Sequence, residues 1–199
     1  GELLGKGQEA VAWKVGDKVV KKGTTIPYTG LRADRYVHRT PEEAMQSIED
    51  DYTNSRQLLK MGVPGIQEHQ VAIGRGDGGA ADQAFSVTDH LDIDARMNEQ
   101  QLDQIRDSVR AMHKNGWALN DQIQVGIGRD GNAYHFDIGH ASREHGPYAV
   151  EDDLSSLKAL YEEHKQELIP WGAMAEDDFQ GFIGMVNDWG ANVRSDRML

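Results

Sequence analysis

The hydrophobic period of this 199-residue chain changes once, close to Leu91. Upstream, short apolar runs broken by Gly and turn residues read as strands. Glu2-Leu3-Leu4 leads into Gly5-Lys6-Gly7. Val11-Ala12-Trp13-Lys14-Val15 and Lys18-Val19-Val20-Lys21-Lys22 flank a Gly16-Asp17 hairpin turn. Gln70-Val71-Ala72-Ile73 and Ala84-Phe85-Ser86-Val87-Thr88 form a second strand pair across a Gly-rich turn at 74–81. The Arg75-Gly76-Asp77 tripeptide in that turn is expected to be turn sequence rather than an adhesion motif. One helix intervenes. Thr40-Pro41-Glu42-Glu43 combines a capping hydroxyl, Pro in the first turn and acids after it. Met45, Ile48, Tyr52, Ser55 and Leu59 then recur at helical spacing, until Gly62 and Pro64 stop the helix. Residues 23–40 read as a long irregular connection.

Downstream the period is 3.6. Leu102, Ile105, Val109 and Met112 lie on one helical face that ends at Asn115-Gly116. A short hairpin turns at Arg129-Asp130-Gly131-Asn132. A second amphipathic helix spans 149–164, with Leu154, Leu157, Leu160 and Tyr161. Short helices are expected within 177–189, with Trp171 and Trp189 closing a small core. Strands with one helix followed mainly by helices predict an α+β domain of two lobes, 1–90 and 91–199, meeting near Asp89-His90-Leu91.

Composition narrows the function classes. The formal net charge of -12 argues against a nucleic-acid binder, which normally carries a basic face. No apolar run approaches the roughly 18 residues of a membrane span. The chain has no Cys, so disulfides, thiolate metal sites and Cys nucleophiles are excluded. A Cys-free chain suits a reducing cytosol and equally suits a protein that is unfolded for export. It opens on Gly1 without a signal-peptide pattern, which decides nothing about targeting.

Phosphoryl transfer needs backbone N–H groups over the phosphates, a cation on them, a carboxylate for the metal, and a carboxylate to orient the acceptor hydroxyl. Candidates occur in that order. Gly5, Gly7 and Ala10 fall in a Gly-rich loop between strands, where backbone can approach phosphates. It is not a Walker A loop, because no Gly-Lys-Ser/Thr follows. Lys21 and Lys22 face opposite sides of their strand. Lys21 is favoured, since Val19 shares its face and could cap an adenine ring. Asp121 follows a helix and a turn. Asp137 ends an apolar strand before Gly139, where an acid is costly without a partner. The two acids are 16 residues apart and bracket the hairpin, whose ends must meet. Paired carboxylates call for a cation, and Mg²⁺ with phosphate oxygens fits. His113, His140 and His145 have no metal-ligand spacing and are expected to be surface or core residues. Ser142 and Tyr148 lie near the expected site and could accept phosphate themselves.

These motifs resemble the protein-kinase-like superfamily: Gly5-x-Gly7-x-x-Ala10, Val19-Val20-Lys21, an acid near Asp51, Met112-His113-Lys114-Asn115-Gly116-x-x-x-Asn120-Asp121, and Asp137-Ile138-Gly139. The resemblance covers residues 1 to about 160 and implies a minimal two-lobed kinase-like fold with a truncated C-lobe, binding ATP and Mg²⁺ between the lobes. It implies that Lys21 holds the α/β-phosphates and pairs with Asp51, with Glu49 and Asp50 as alternatives. Val87-Thr88-Asp89-His90-Leu91 becomes the hinge, Thr88 its gatekeeper, and the backbone of Asp89 and Leu91 meets adenine. Asp121 orients the substrate hydroxyl, and Asp137 binds Mg²⁺. Asp153-Leu154-Ser155-Ser156-Leu157 resembles the helix start that supports the catalytic loop from below.

The chain also departs from that pattern. Ala10 replaces the third glycine, and Leu119-Asn120 replaces His-Arg, leaving no catalytic-loop arginine to grip a phosphate. The metal-binding Asn expected five residues after Asp121 falls on Gly126, with Gln122 or Gln124 as substitutes. About fourteen residues separate Gly139 from Asp153, and no Ala-Pro-Glu follows, so the activation segment is almost absent. Such a chain is similar to the minimal kinases that bacteria inject into host cells by type III secretion, most of all the HopBF type. That likeness implies a monomeric, secreted Ser/Thr protein kinase acting in host cytoplasm on the eukaryotic ninety-kilodalton heat-shock chaperone, which phosphorylation inactivates. Two other classes compete: a small-molecule kinase of the aminoglycoside-phosphotransferase kind, and a nucleotide-binding pseudokinase scaffold.

Overall fold

The structure is a computed structural model that describes residues 1–7, 9–25, 39–74, 82–143 and 148–168, the last five as backbone only. The expected features at 26–38, the turn at 74–81 beyond Gly74 with its Arg75-Gly76-Asp77, His145, and the C-terminal helices with Trp171 and Trp189 lie outside the described residues. The chain forms two units. The first comprises Gly1–Lys60 with Gln67–His90; the second comprises Met61–Ile66 with the chain from Leu91 onward.

In the first unit, strands β1 (Glu2–Lys6), β2 (Ala10–Val15), β3 (Lys18–Gly23), β4 (Gln70–Gly74) and β5 (Gln83–Asp89) form one antiparallel sheet in the order β1-β2-β3-β5-β4. Helix α1 (Pro41–Lys60) lies between β3 and β4 in sequence and packs on β3, β5 and β4. Its start is a capping box. Glu43 N–H donates to Thr40 Oγ1 at 3.1 Å, and Thr40 N–H donates to Glu43 Oε2 at 2.7 Å.

The buried face of α1 differs from the expected one. It carries Ala44, Ile48, Asp51, Ser55 and Leu58, whereas Leu59 is exposed. Near Ala44 the helix backbone comes very close to the sheet. A Cβ on Gly23 of β3 would stand 1.8 Å from the Ala44 carbonyl oxygen, so only glycine fits there. Two of the buried positions are polar, and both have partners: Asp51 bonds Lys21, and Ser55 Oγ donates to the Gln67 carbonyl.

The second unit holds helix α2 (Glu99–Lys114), the hairpin β6 (Val125–Ile127) and β7 (Ala133–His135), and helix α3 (Ala149–Leu168), which runs past the expected end at 164. Helix α2 opens with a capping box. Gln101 N–H donates to Asn98 Oδ1 at 3.0 Å, and Asn98 N–H donates to Gln101 Oε1 at 2.9 Å. The expected stripe of Leu102, Ile105, Val109 and Met112 is fully buried. At roughly 1.5–3 kcal/mol for each such side chain, it is a principal stabilising element of this unit. Leu154, Leu157 and Tyr161 of α3 complete the core, and Tyr161 donates to Asp103 Oδ1 of α2 at 2.9 Å. Gln104 Oε1 accepts the Ala133 amide at 2.9 Å and fastens the hairpin to α2. Among the described residues, no helix is long and apolar enough to cross a membrane.

His135 is fully enclosed in this core. Its amide donates to Gly65 O at 2.8 Å, while neither ring nitrogen has a partner among the described residues. Burial pushes its pKa down from 6.5 to about 4. As pH falls from 6.5 towards 4, the unfolded chain takes up a proton that the folded chain refuses. Stability is therefore complete above about pH 6.5 and is lost below it, by on the order of 3 kcal/mol. His135→Leu is expected to keep its stability within about 1 kcal/mol at pH 7, since it removes an unpaired polar group. It should also lose distinctly less than wild type between pH 7 and pH 4.5. Urea unfolding at the two pH values checks both expectations.

Candidate active site

The expected site residues fall into two groups. Gly5, Gly7, Ala10, Val19, Lys21, Asp51, Thr88 and Asp89 belong to the first unit; Leu91, Asp121, Gln124 and Asp137 belong to the second.

Lys21 lies opposite Ala12 on β2 and Ser86 on β5, on the sheet face that α1 covers. Its Nζ is 2.9 Å from Asp51 Oδ2, with the Asp51 side chain 5% and the Lys21 side chain 19% exposed. Lys22 is on the other face, opposite Val11 and Phe85. Asp50 instead accepts from Gln46 Nε2 at 2.8 Å. The pair is possible because Asp51 takes an inward position on α1, which a carboxylate occupies only with a cation beside it. Val19 lies opposite Thr88 in the β3–β5 register.

Gly5 follows an irregularity in the β1–β2 register, and the Gly7 amide closes a turn on Ala10 O at 2.8 Å. Neither glycine is required by the fold. Neither has a positive φ. A Cβ on Gly5 would meet nothing within 4 Å, and one on Gly7 only Ala10 O at 3.5 Å. Glycine here leaves the strand backbone bare, which suits close approach by a phosphate. The Asp89 carbonyl accepts from Gln67 Nε2 at 2.9 Å, and its side chain pairs with Lys18. A carbonyl has two lone pairs, so the Asp89 oxygen can still accept a second donor.

A polar cluster next to the ion pair was not expected. His69 and Ser86 are both buried, and neither the imidazole nitrogens, Ser86 Oγ nor Asp51 Oδ1 has a partner among the described residues. Burial is the largest influence on His69 and lowers its pKa; Asp51 opposes that shift and Lys21 adds to it.

In the second unit, Asp153 organises the loop that carries Asp121. It is completely buried at the start of α3, and its Oδ2 accepts from the Leu119 amide at 2.9 Å and lies 2.8 Å from His113 Nε2. His113 is the last buried residue of α2, so one carboxylate joins the end of a helix, the loop after it and the start of the next helix. In sequence the Asp153 segment stands out only by resemblance, and His113, expected as a surface or core histidine, is a core one. The signal was present: Asp153 interrupts the apolar spacing of Val150, Leu154, Leu157 and Tyr161, and His113 extends that of Ile105, Val109 and Met112.

The loop leaves Asp121 exposed, with its Oδ1 accepting the Gln122 amide at 2.7 Å. Phe136 N–H donates to Gln124 O at 3.1 Å, continuing the hairpin ladder beyond β6 and β7. Asp137, next in the chain, therefore stands at the open end of the hairpin, towards the Asp121 loop. Gly126 lies within β6, opposite Tyr134. A Cβ there would stand 2.8 Å from Leu91 Cβ and 3.1 Å from Asp92 O. Glycine at 126 is thus a packing requirement of the strand, and the residue that ends the loop is Gln124.

Within the first unit, bare strand backbone and a fixed ammonium suit the phosphates of a nucleotide; within the second, Asp137 and Gln124 bring oxygen donors of the kind a hard cation takes. No family model and no curated protein matches the sequence. Solved structures do match. The chain is similar to monomeric WbdD with a TM-score of 0.50 and 15% identity, over 94% of this chain and 44% of that one. It is similar to the Rio2 kinase of Chaetomium thermophilum with a TM-score of 0.53 and 13% identity, over 83% of this chain and 57% of that one. It thus spans about half the length of each. The chain has a small α+β, protein-kinase-like fold.

Two measurements check these contacts. In a double-mutant cycle of Lys21→Met and Asp51→Asn, the stability changes are expected to couple by about 1–3 kcal/mol, with Lys21→Met far less costly when Asp51 is already Asn. Asp153→Ala strands the Leu119 amide and His113 together and is expected to cost about 3 kcal/mol in urea unfolding.

Proposed function

We propose that this chain is an ATP-dependent phosphotransferase that uses Mg²⁺ and delivers phosphate to a Ser or Thr hydroxyl of a protein. The observation that carries the reading is the inward Lys21–Asp51 pair, 2.9 Å long, on a kinase-like sheet. A largely buried carboxylate that holds an ammonium in one position is expensive as structure and useful as preorganisation. The Rio2 structure is of a complex with ADP, Mg²⁺ and phosphoaspartate, which supports the same nucleotide and metal here.

In this reading Lys21 binds the phosphates, and the backbone at Gly5 and Gly7 covers them. Val19 and Thr88 border the base, with the backbone of Asp89 and Leu91 along its edge. Asp137 and Gln124 would hold Mg²⁺, which supplies charge neutralisation on the phosphate oxygens when bound. Asp121, exposed on a loop anchored by Asp153, orients the acceptor hydroxyl and receives its proton. An exposed Asp121 and a segment of few residues after Gly139 favour a folded protein as acceptor over an enclosed small molecule. By its resemblance to the HopBF-type effectors, the acceptor we propose is the ninety-kilodalton heat-shock chaperone of a host cell, reached by secretion, with the kinase acting as a monomer.

Incubation with γ-labelled ATP, Mg²⁺ and a eukaryotic lysate tests this reading. One labelled band is expected, near ninety kilodaltons. Asp121→Ala and Asp137→Ala should each lower labelling at least about 100-fold, while ATP still raises the melting temperature of Asp121→Ala. Wild-type labelling by both variants would overturn the site assignment. ATP stabilisation without any transfer would favour a nucleotide-binding scaffold.

A further inference from the structure

Asn120 immediately precedes Asp121 and is the one non-glycine among the described residues with a positive φ, at 60°. Asn tolerates that region better than most residues, yet the conformation still costs free energy. Its side-chain amide gives the conformation a purpose. Nδ2 donates to the His140 carbonyl at 2.9 Å and lies 3.3 Å from Ser142 Oγ. Next to it, Ala118 and Ser142 exchange two backbone hydrogen bonds, both 3.0 Å. The Ala141 amide donates to Ile138 O at 3.1 Å, turning the chain just after Asp137-Ile138-Gly139. The loop bearing Asp121 and the segment following Asp137 are thus strapped together at alternate residues of each, Ala118 and Asn120 on one and His140 and Ser142 on the other.

We infer that Asn120 is a positioning residue that fixes Asp121 relative to Asp137 without any phosphate on the segment after Gly139. This rests on the phosphotransferase reading and deepens it. A phosphorylated segment is ordered where its phosphate meets a cation, and the residue next to Asp121 is one place that could supply it. Here that position carries a neutral amide already engaged with a backbone carbonyl. The Asn120–His140 bond is exposed, and an exposed neutral hydrogen bond contributes little net stability. Its effect should therefore fall on geometry and rate. A misplacement of about 1 Å can cost on the order of 100-fold in rate.

Asn120→Gly keeps the backbone conformation and deletes the amide. Asn120→Asp keeps shape and backbone tolerance, but its carboxylate cannot donate and faces the His140 carbonyl. Both variants are expected to lower kcat by roughly 10- to 100-fold. The KM for ATP should stay within about threefold, and the melting temperature within a few degrees. Phosphatase treatment of the wild type should leave its rate unchanged. Amide exchange at Ala118 and Ser142, which does not depend on activity, is expected to accelerate in both variants. A kcat within twofold of wild type in Asn120→Gly, a loss that merely follows thermal stability, or a wild-type rate that collapses on dephosphorylation overturns the inference. Unchanged exchange overturns the strap itself. If wild type transfers no phosphate yet exchange still accelerates, the phosphotransferase reading fails and the strap stands.

Discussion

The second unit depends on one buried carboxylate. Asp153 is completely buried, so its polar atoms must be met by the protein, and its Oδ2 is met by the Leu119 amide and His113. Either contact alone would be unremarkable. Together they make the end of α2, the loop to Asp121 and the start of α3 mutually dependent, because movement of any one of them leaves a buried polar group unpaired. An exposed side chain such as Asp121 is ordinarily free to wander. Here its backbone lies two residues after Leu119, whose amide is bonded inside the core.

The first unit solves a similar problem with opposite charges. Its sheet face towards α1 is not a uniform hydrophobic surface but holds Lys21 and Ser86, with His69 buried just before β4 and Asp51 and Ser55 on the helix. Apolar residues there would pack at least as well. The unpartnered oxygen of Asp51, the Ser86 hydroxyl and the neutral His69 imidazole form a polar interior of the kind that ordered water commonly completes. Such a cluster is a poor investment in stability alone and is intelligible if Lys21 must be held pointing one way. The narrow approach of α1 at Gly23 serves the same end, since it sets the distance from which Asp51 can reach.

Much of this was legible in the sequence, for identifiable reasons. Period-2 runs around a Gly-Asp turn and the Thr40–Glu43 cap are local signals, and they specify β2, β3 and the start of α1 without reference to the rest of the chain. The expected stripe of α1 shares Ile48 and Ser55 with the buried face but not Met45, Tyr52 and Leu59, because the helix also rests on Ala44, Asp51 and Leu58. Asp51 was reached through the spacing of a family motif, not from helix periodicity. The His113–Asp153 contact spans 40 residues and the His69 cluster joins three elements, so neither has a local pattern beyond a polar residue in an apolar stripe. Gly126 had a meaning in sequence, a missing ligand, that changes once its neighbours are known.

Counting five residues from Asp121 assumes a loop of fixed length, and this loop is shorter. The hairpin begins at Val125 and its backbone bonds already include Gln124, so the fifth position lies inside a strand and must be small to pass Leu91. A ligand there could not point out of the strand without a collision. In the proposed phosphotransferase the second metal ligand would be Gln124, the last residue before the strand, whose amide oxygen is the same kind of donor as the asparagine expected there. What Gly126 itself records is the packing of the strand against Leu91 and Asp92.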